Sequence, residues 1–216
     1  MTSADGTVTF HPASNTYENG RLKEQLDAFN KTISYDHDIP NRRETITDRL
    51  GNQTVFEYDA SGNIAYARNA EGGETRRTFD TNNNVLTEVT GQGTSIFEYD
   101  ANDNLKQVTD PFGNVSKLTY NPLGQITATL DAKGNLSTLT YNEQSGNLLS
   151  LRDIEGNETL YTYGQNGRKN KITRVDHNDP IHPLVTSYDY YDNGYLKSET
   201  DPLGNATTYN YDLNGN

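Results

Sequence analysis

The chain has 216 residues, a net charge of −12, 31% hydrophobic residues and no cysteine. Acidity without any basic stripe excludes nucleic acid as a partner, and the lack of a long apolar run argues against membrane insertion. No disulfide or thiolate metal site is possible.

A mean hydropathy of −0.90 would suit a disordered chain, but 15 Tyr, 6 Phe and many Thr are strand-favouring residues. They are also regularly spaced, which predicts many thin, half-buried strands in place of one thick core. An aromatic followed by a turn recurs at Phe10, Tyr35, Tyr58, Phe79, Tyr99, Tyr120, Tyr141, Tyr163, Tyr190 and Tyr211. The intervals are 25, 23, 21, 20, 21, 21, 22, 27 and 21 residues, so the unit is about 21 residues. Residues 1–216 read as a single array of about nine units, with no linker and no separate catalytic domain.

In chain order, "MTSADGTVTF" has no signal-peptide layout. "LKEQLDAF" (22–29) could pass for a helix, yet Leu22, Asp27 and Asn30 repeat the spacing of Leu105, Asp110 and Gly113, which predicts a degenerate hairpin. The densest basic patches, "NRRET" (41–45) and "NGRKNK" (166–171), read as solvated loop rims. In "NQTVFEY" (52–58) the strand period of two puts Thr54, Phe56 and Tyr58 on one face and Gln53, Val55 and Glu57 on the other, with the aromatic face predicted to be buried. The outgoing strand of each unit adds one aliphatic: Ile64, Val85, Leu105, Ile126, Leu148 and Leu196.

Two turn signals punctuate each unit. One follows the aromatic: Asp59, Asp80, Asp100 and Asp212 open it, and the position needing a left-handed backbone holds Gly62, Gly124, Gly146, Gly167, Gly194 and Gly215, but Asn83 and Asp103 in two units. Asn and Asp are the non-glycine residues that best tolerate that conformation, so the pattern reads as backbone geometry and not as a ligand site. The other is "DxxGN", with Asp110 and Gly113, Asp131 and Gly134, Gly156, and Asp201 and Gly204, preceded by "DRLGN" at 48–52. It predicts a type I turn closed by a left-handed residue. About 18 strands at roughly 4.8 Å spacing would make a flat meander about 85 Å wide, and sheets that wide curl as strand twist accumulates.

The ordered recurrence of "YDxxGN(L/I)", "DxxGN" and "TxYxY" resembles the YD-repeat, or RHS-repeat, family, whose members include bacterial polymorphic toxins, shell components of insecticidal toxin complexes, and teneurins. The resemblance implies an all-β fold of consecutive antiparallel hairpins in a curled or spiralling sheet, a strip of a hollow shell. It implies a secreted or cell-surface protein whose partners are its own C-terminal toxin and neighbouring repeats. The alternative it leaves is an adhesion module that binds a cell-surface glycan or protein. Family shells use more hairpins, and the chain stops at "YDLNGN", inside a turn, so it reads as a stretch of a longer array whose sheet edges would favour self-association. "DPFGN" and "DPLGN" look superficially like Asp-Pro-x-Gly cleavage motifs but occupy ordinary turn positions.

Chemistry-bearing residues are few. His11, His37, His177 and His182 lie in or beside predicted loops, none within a nucleophile elbow, so no catalytic residue is assigned. "VDHNDPIHPL" (175–184) reads as an expanded turn shaped by Pro180 and Pro183, and His177, Asp179 and His182 are the candidate metal ligands, with nothing to fix their geometry. "DTNNN" (80–84) and "DANDN" (100–104) resemble the start of a calcium loop but lack its Gly and Glu. No cofactor is expected. The tyrosines could stack sugars, but their phase matches wall packing.

Overall fold

The computed structural model describes residues 13–164, 166–212 and 214–215, so Phe10 and His11 lie outside the described residues. Nineteen strands and no helix are found among them. The chain divides into two compact units, Met1–Asn114 and Val115–Asn216. No composition shift marks the break.

The first unit holds β1 (Ser14–Glu18), β2 (Arg21–Leu26), β3 (Thr32–Asp38), β4 (Arg43–Thr47), β5 (Gln53–Tyr58), β6 (Ile64–Arg68), β7 (Glu74–Phe79), β8 (Val85–Thr90), β9 (Gly93–Tyr99) and β10 (Leu105–Thr109). The second holds β11 (Val115–Tyr120), β12 (Ile126–Leu130), β13 (Leu136–Tyr141), β14 (Leu148–Arg152), β15 (Glu158–Tyr163), β16 (Lys169–Asp176), β17 (Asp179–Tyr190), β18 (Leu196–Thr200) and β19 (Ala206–Thr208). Within each unit every strand pairs antiparallel with the strand before or after it, and the described strands touch no others. Short turns leave no other choice, since two- to five-residue connections return the chain beside itself.

The stretch at 22–29 is the hairpin its spacing predicted: β2 ends at Leu26 and Asn30 takes φ 61°. Six repeat aromatics stand directly opposite their aliphatics, in the pairs Tyr58–Ile64, Phe79–Val85, Tyr99–Leu105, Tyr120–Ile126, Tyr141–Leu148 and Tyr190–Leu196. A bulge after the first residue of the outgoing strand creates that alignment; Glu57 faces Tyr66, which leaves Ala65 unpaired. Facing aromatic–aliphatic pairs are a main unit of sheet stability, each worth roughly 0.2–1 kcal/mol.

Three expectations need correction. The aromatic face is half-buried, and the one fully buried apolar side chain among the described residues is Val55, 1% exposed, on the opposite face. Its ladder partners are Thr45 and Arg68, so side chains of both neighbouring strands flank it. Tyr35 does not precede a turn: it sits inside β3 opposite Ile46, and the turn follows at 39–42. The segment 175–184 is not an expanded loop. β16 and β17 run on to a tight connection at His177–Asn178, and Pro180 and Pro183 lie within β17. They fit there because residues 180–183 take no place in either ladder: the register with β16 breaks between Asp179 and Leu184, and β17 meets β18 only from Ser187 onward.

Candidate functional site

The chemistry of this molecule is concentrated in its turns. In the turn after Tyr58, the N–H of Asp59 donates to Asn63 O (2.9 Å) and the N–H of Gly62 to Asp59 O (3.3 Å). Asp59 Oδ1 accepts the N–H groups of Ser61 and Asn63 (2.8 and 2.9 Å), and Oδ2 accepts the Asn63 side-chain amide at 3.0 Å. One carboxylate therefore satisfies the turn's inner donors, and a partner Asn four residues on closes the clamp. The same clamp forms at Asp48–Asn52, Asp80–Asn84, Asp100–Asn104, Asp110–Asn114, Asp131–Asn135, Asp153–Asn157 and Asp201–Asn205.

These bonds favour the charged carboxylate. The Asn63 side-chain amide, then its backbone N–H, hold Asp59 below the usual carboxylate range. The Asn side chain is likewise the main cause at Asp48, Asp100, Asp110, Asp131, Asp153 and Asp201, whereas at Asp80 the backbone N–H of Asn84 leads. All the predicted left-handed positions have positive φ, including Gly62 at 89°, Asn83 at 68°, Asp103 at 62°, Gly113 at 83°, Gly124 at 76°, Gly134 at 85°, Gly146 at 71°, Gly156 at 88°, Gly194 at 90° and Gly204 at 86°. Gly72, at 87°, closes a further turn of this kind, opened by Asn69, that the Asp-based pattern missed.

The left-handed position has a second duty. Asn63 Nδ2 donates to Asn83 Oδ1 (2.8 Å), and Asn84 Nδ2 and Asn82 Nδ2 both donate to Asp103 Oδ1 (2.9 and 2.8 Å). Gln125 Nε2 donates to the carbonyl of Gly146 at 2.8 Å, and the Arg168 guanidinium lies across Gly194. The closing residue of one turn thus reaches the left-handed residue of the next. The sequence signal was the recurring Asn at the fifth turn position, which reading by backbone angle alone passes over.

The repeat aromatics add a tie between hairpins. Tyr99 O–H donates to Val85 O (3.0 Å), Tyr163 to Leu148 O (2.8 Å) and Tyr190 to Lys169 O (2.8 Å), in each case the first residue of the preceding strand. Tyr58 donates to Glu44 Oε2 at 3.2 Å, and burial followed by the Glu44 charge raises its pKa. Tyr211 lies outside any strand and packs its ring against Tyr195, with centroids 4.9 Å apart.

The candidate metal ligands separate. His182 Nδ1 lies 2.8 Å from Asp179 Oδ1, exposed on the projecting hairpin, while the His177 ring packs over Gly156 and the His177 backbone N–H donates to Asn157 Oδ1 (3.0 Å). Among the described residues no three His, Cys, Asp or Glu side chains are grouped to hold a metal. The oxygens of Asp80 and Asp100, which suggested calcium, serve their own turns.

With this geometry established, likenesses to other proteins can be read. The RHS Repeat family model matches residues 99–138. The clamps and left-handed residues described for that stretch recur on both sides of it, at Asp48–Asn52 and Asp201–Asn205 among others. Solved structures share the fold at 14% identity: TcdB2-TccC3, with TM-score 0.59, and TcdB2-TccC3 without its hypervariable C-terminal region, with TM-score 0.58. The Photorhabdus luminescens Tc holotoxin pore bearing a TccC3 mutation gives TM-score 0.57 at the same identity. Each alignment covers 94% of this chain and 14% of the other, so this chain spans about one seventh of those chains. No curated protein matches the sequence.

Proposed function

We propose that this chain is a strip of wall in an RHS-type β-shell, and that the longer polypeptide to which it belongs encloses a toxin carried C-terminal to the repeats and is exported from the cell. The observation that carries this reading is the single-layer construction. Each unit's strands touch only their neighbours, and Val55 and Thr186 are the only buried side chains among the described residues. An ordinary domain of this size buries a core between layers. A wall does not need one, because its stability is the sum of repeats and nearest-neighbour contacts.

The role is structural. A closed wall holds a cargo away from water, proteases and the producing cell, and the proteins of like fold are parts of toxin complexes by their names. The test is limited proteolysis of the complete open reading frame that contains this array. Segments downstream of the repeats are expected to resist cleavage in the folded protein and to be cut rapidly once the array is unfolded in urea. Equal cleavage rates before and after unfolding would sink the encapsulation reading.

A further inference from the structure

The arginines of the basic patch at 41–45 are exposed, as its sequence suggests, but the patch also borders a cleft. We propose that a cleft between the β2, β3, β4 and β5 ends of the first unit is a binding site for a small oxyanion, a carboxylate- or phosphate-bearing ligand held by Arg21, Arg42 and Arg43. The cleft is about 350 Å³ and is lined by these three arginines with His37, Asp38, Glu44, Tyr58 and Asp59 among others.

Two independent observations point to a ligand. The first is an imbalance of hydrogen-bonding capacity. The acidic oxygens of the cleft are already engaged: Asp38 accepts the backbone N–H and the side-chain amide of Asn41 at 3.2 and 2.7 Å. Asp59 is committed to its turn clamp. Glu44 accepts Tyr58 O–H at 3.2 Å and lies 3.5 Å from His37 Nδ1, while His37 Nε2 meets Leu22 O at 2.8 Å. Arg21, Arg42 and Arg43, in contrast, have no ion-pair or side-chain hydrogen-bond partner among the described residues, although Arg43 stands in the ladder between Asp38 and Glu57. Formal charge in the cleft is balanced, but donors are in large surplus, since each guanidinium offers five N–H groups and accepts nothing. Water satisfies these exposed donors in the free chain, and an oxygen-rich ligand can displace it, planar bidentate pairing suiting carboxylate and phosphate.

The second observation is backbone strain. Among the described residues, Arg42 is the one positive-φ residue that is not Gly, Asn or Asp, with φ 51°. A left-handed backbone is unfavourable for a long side chain, and the other left-handed positions among the described residues hold Gly, Asn or Asp. Strain of this kind persists where the side chain it holds has a use. Here the left-handed turn places Arg42 beside Arg43 at the cleft's mouth, and its carbonyl accepts the Tyr58 N–H at 2.9 Å, which fixes the position.

The experiment uses the 216-residue chain at low salt, with sodium glucuronate, inorganic phosphate and neutral glucose as probes, and follows arginine side-chain NMR signals. Saturable shifts are expected with at least one anion and none with glucose; the stronger of the two anions tells a sugar acid from a phosphate ester. Arg42→Gly separates binding from folding, because glycine suits that backbone. It is expected to raise Tm while weakening anion binding at least about tenfold. Arg43→Ala should weaken binding similarly, and Arg152→Ala, which removes a positive charge in the other unit, should change it less than about twofold. The proposal is overturned if neither anion binds, if glucose binds as well, or if Arg42→Gly binds like the parent chain.

Discussion

The turns after Tyr58, Phe79 and Tyr99 and those after Tyr163 and Tyr190 have the same backbone but different means of holding it. In the first group a carboxylate and an asparagine clamp each turn, and polar side chains join one turn to the next. In the second group, Gly164 and Tyr191 stand where Asp stood, and Arg168 and Tyr195 replace Asn. The N–H of Gly164 still donates to Arg168 O at 2.8 Å, and that of Tyr191 to Tyr195 O at 2.9 Å. Rings and a guanidinium link these later turns: Arg168 Cζ lies 5.9 Å from the Tyr190 ring centroid, and Tyr191 and Tyr195 both pack on Tyr211. The difference teaches that the repeat requires a left-handed fourth residue, whereas the contact made to it from the preceding turn is present at Asn83, Asp103 and Gly194 and dispensable at Gly62 and Gly167. How the turn's donors are satisfied is negotiable.

Acid should break the comparison most widely, because it acts on all the clamps together. Each clamped Asp titrates in the folded chain below its ordinary 3.8. The unfolded chain therefore takes up protons first as pH falls. The stability these carboxylates contribute is complete above the unfolded pKa and is lost as pH drops through the lower folded value. Hydrogen-exchange protection measured between pH 5 and pH 2 should fall at Ser61, Asn63, Asn82, Asn84, Asn102 and Asn104, whose N–H groups bond Asp oxygens. The amides of Gly164 and Gly167, which bond only backbone carbonyls, should keep theirs until the sheet itself opens. Parallel loss in both groups would mean that the clamps do not hold the turns individually.

A valine at the left-handed position is the next largest break. Gly62→Val should cost about 2 kcal/mol or more, since a β-branched residue is poorly accommodated at φ 89°. Gly194→Val should cost more, because a Cβ there meets the Arg168 guanidinium, whereas nothing lies near a Cβ at Gly62. Urea denaturation of Gly194→Val with and without Arg168→Ala forms a cycle; the added Arg168→Ala should recover the difference between the two sites.

Much of this was legible in the sequence, and the reason is local. A 21-residue unit whose turns carry Asp, Gly and Asn at fixed offsets specifies its hairpins without help from distant residues, so strand order, the left-handed positions and the facing pairs such as Tyr99–Leu105 follow directly. What sequence reading missed depends on neighbours. Val55 is buried by what flanks it on β4 and β6, against the expected face. The prolines at 180 and 183 signalled a loop, but a strand whose ladders are interrupted around them tolerates them equally. The metal candidates His177 and His182 are close in sequence but engage different partners, one packing over Gly156 and the other against Asp179.

Asp103→Gly sharpens the comparison further. It keeps φ, which glycine adopts freely, and removes the oxygen that accepts Asn82 and Asn84. If the left-handed residue were only a backbone device, the substitution would leave Tm unchanged or raise it. Since it also joins turns, a fall of about 1–3 °C is expected, with exchange at Asn82 and Asn84 faster.

The smallest effect belongs to the one regular hairpin without an aliphatic partner. Tyr163 faces Lys169, whose Nζ lies 4.5 Å from the centroid of the Tyr161 ring. Lys169→Leu would restore the aromatic–aliphatic pair found at Tyr141–Leu148, worth roughly 0.2–1 kcal/mol. It would also delete a cation–π contact worth about 0.5–1 kcal/mol at an exposed site. The two nearly cancel, so the net change in urea stability should stay within about 0.5 kcal/mol. A large gain would show that the facing pair outweighs anything a cation can offer at this position, and that this hairpin is held below the stability its neighbours reach. A large loss would show that the lysine had become the tie between Tyr161 and Tyr163, and that the later hairpins replace the array's apolar contacts as thoroughly as they replace its clamps.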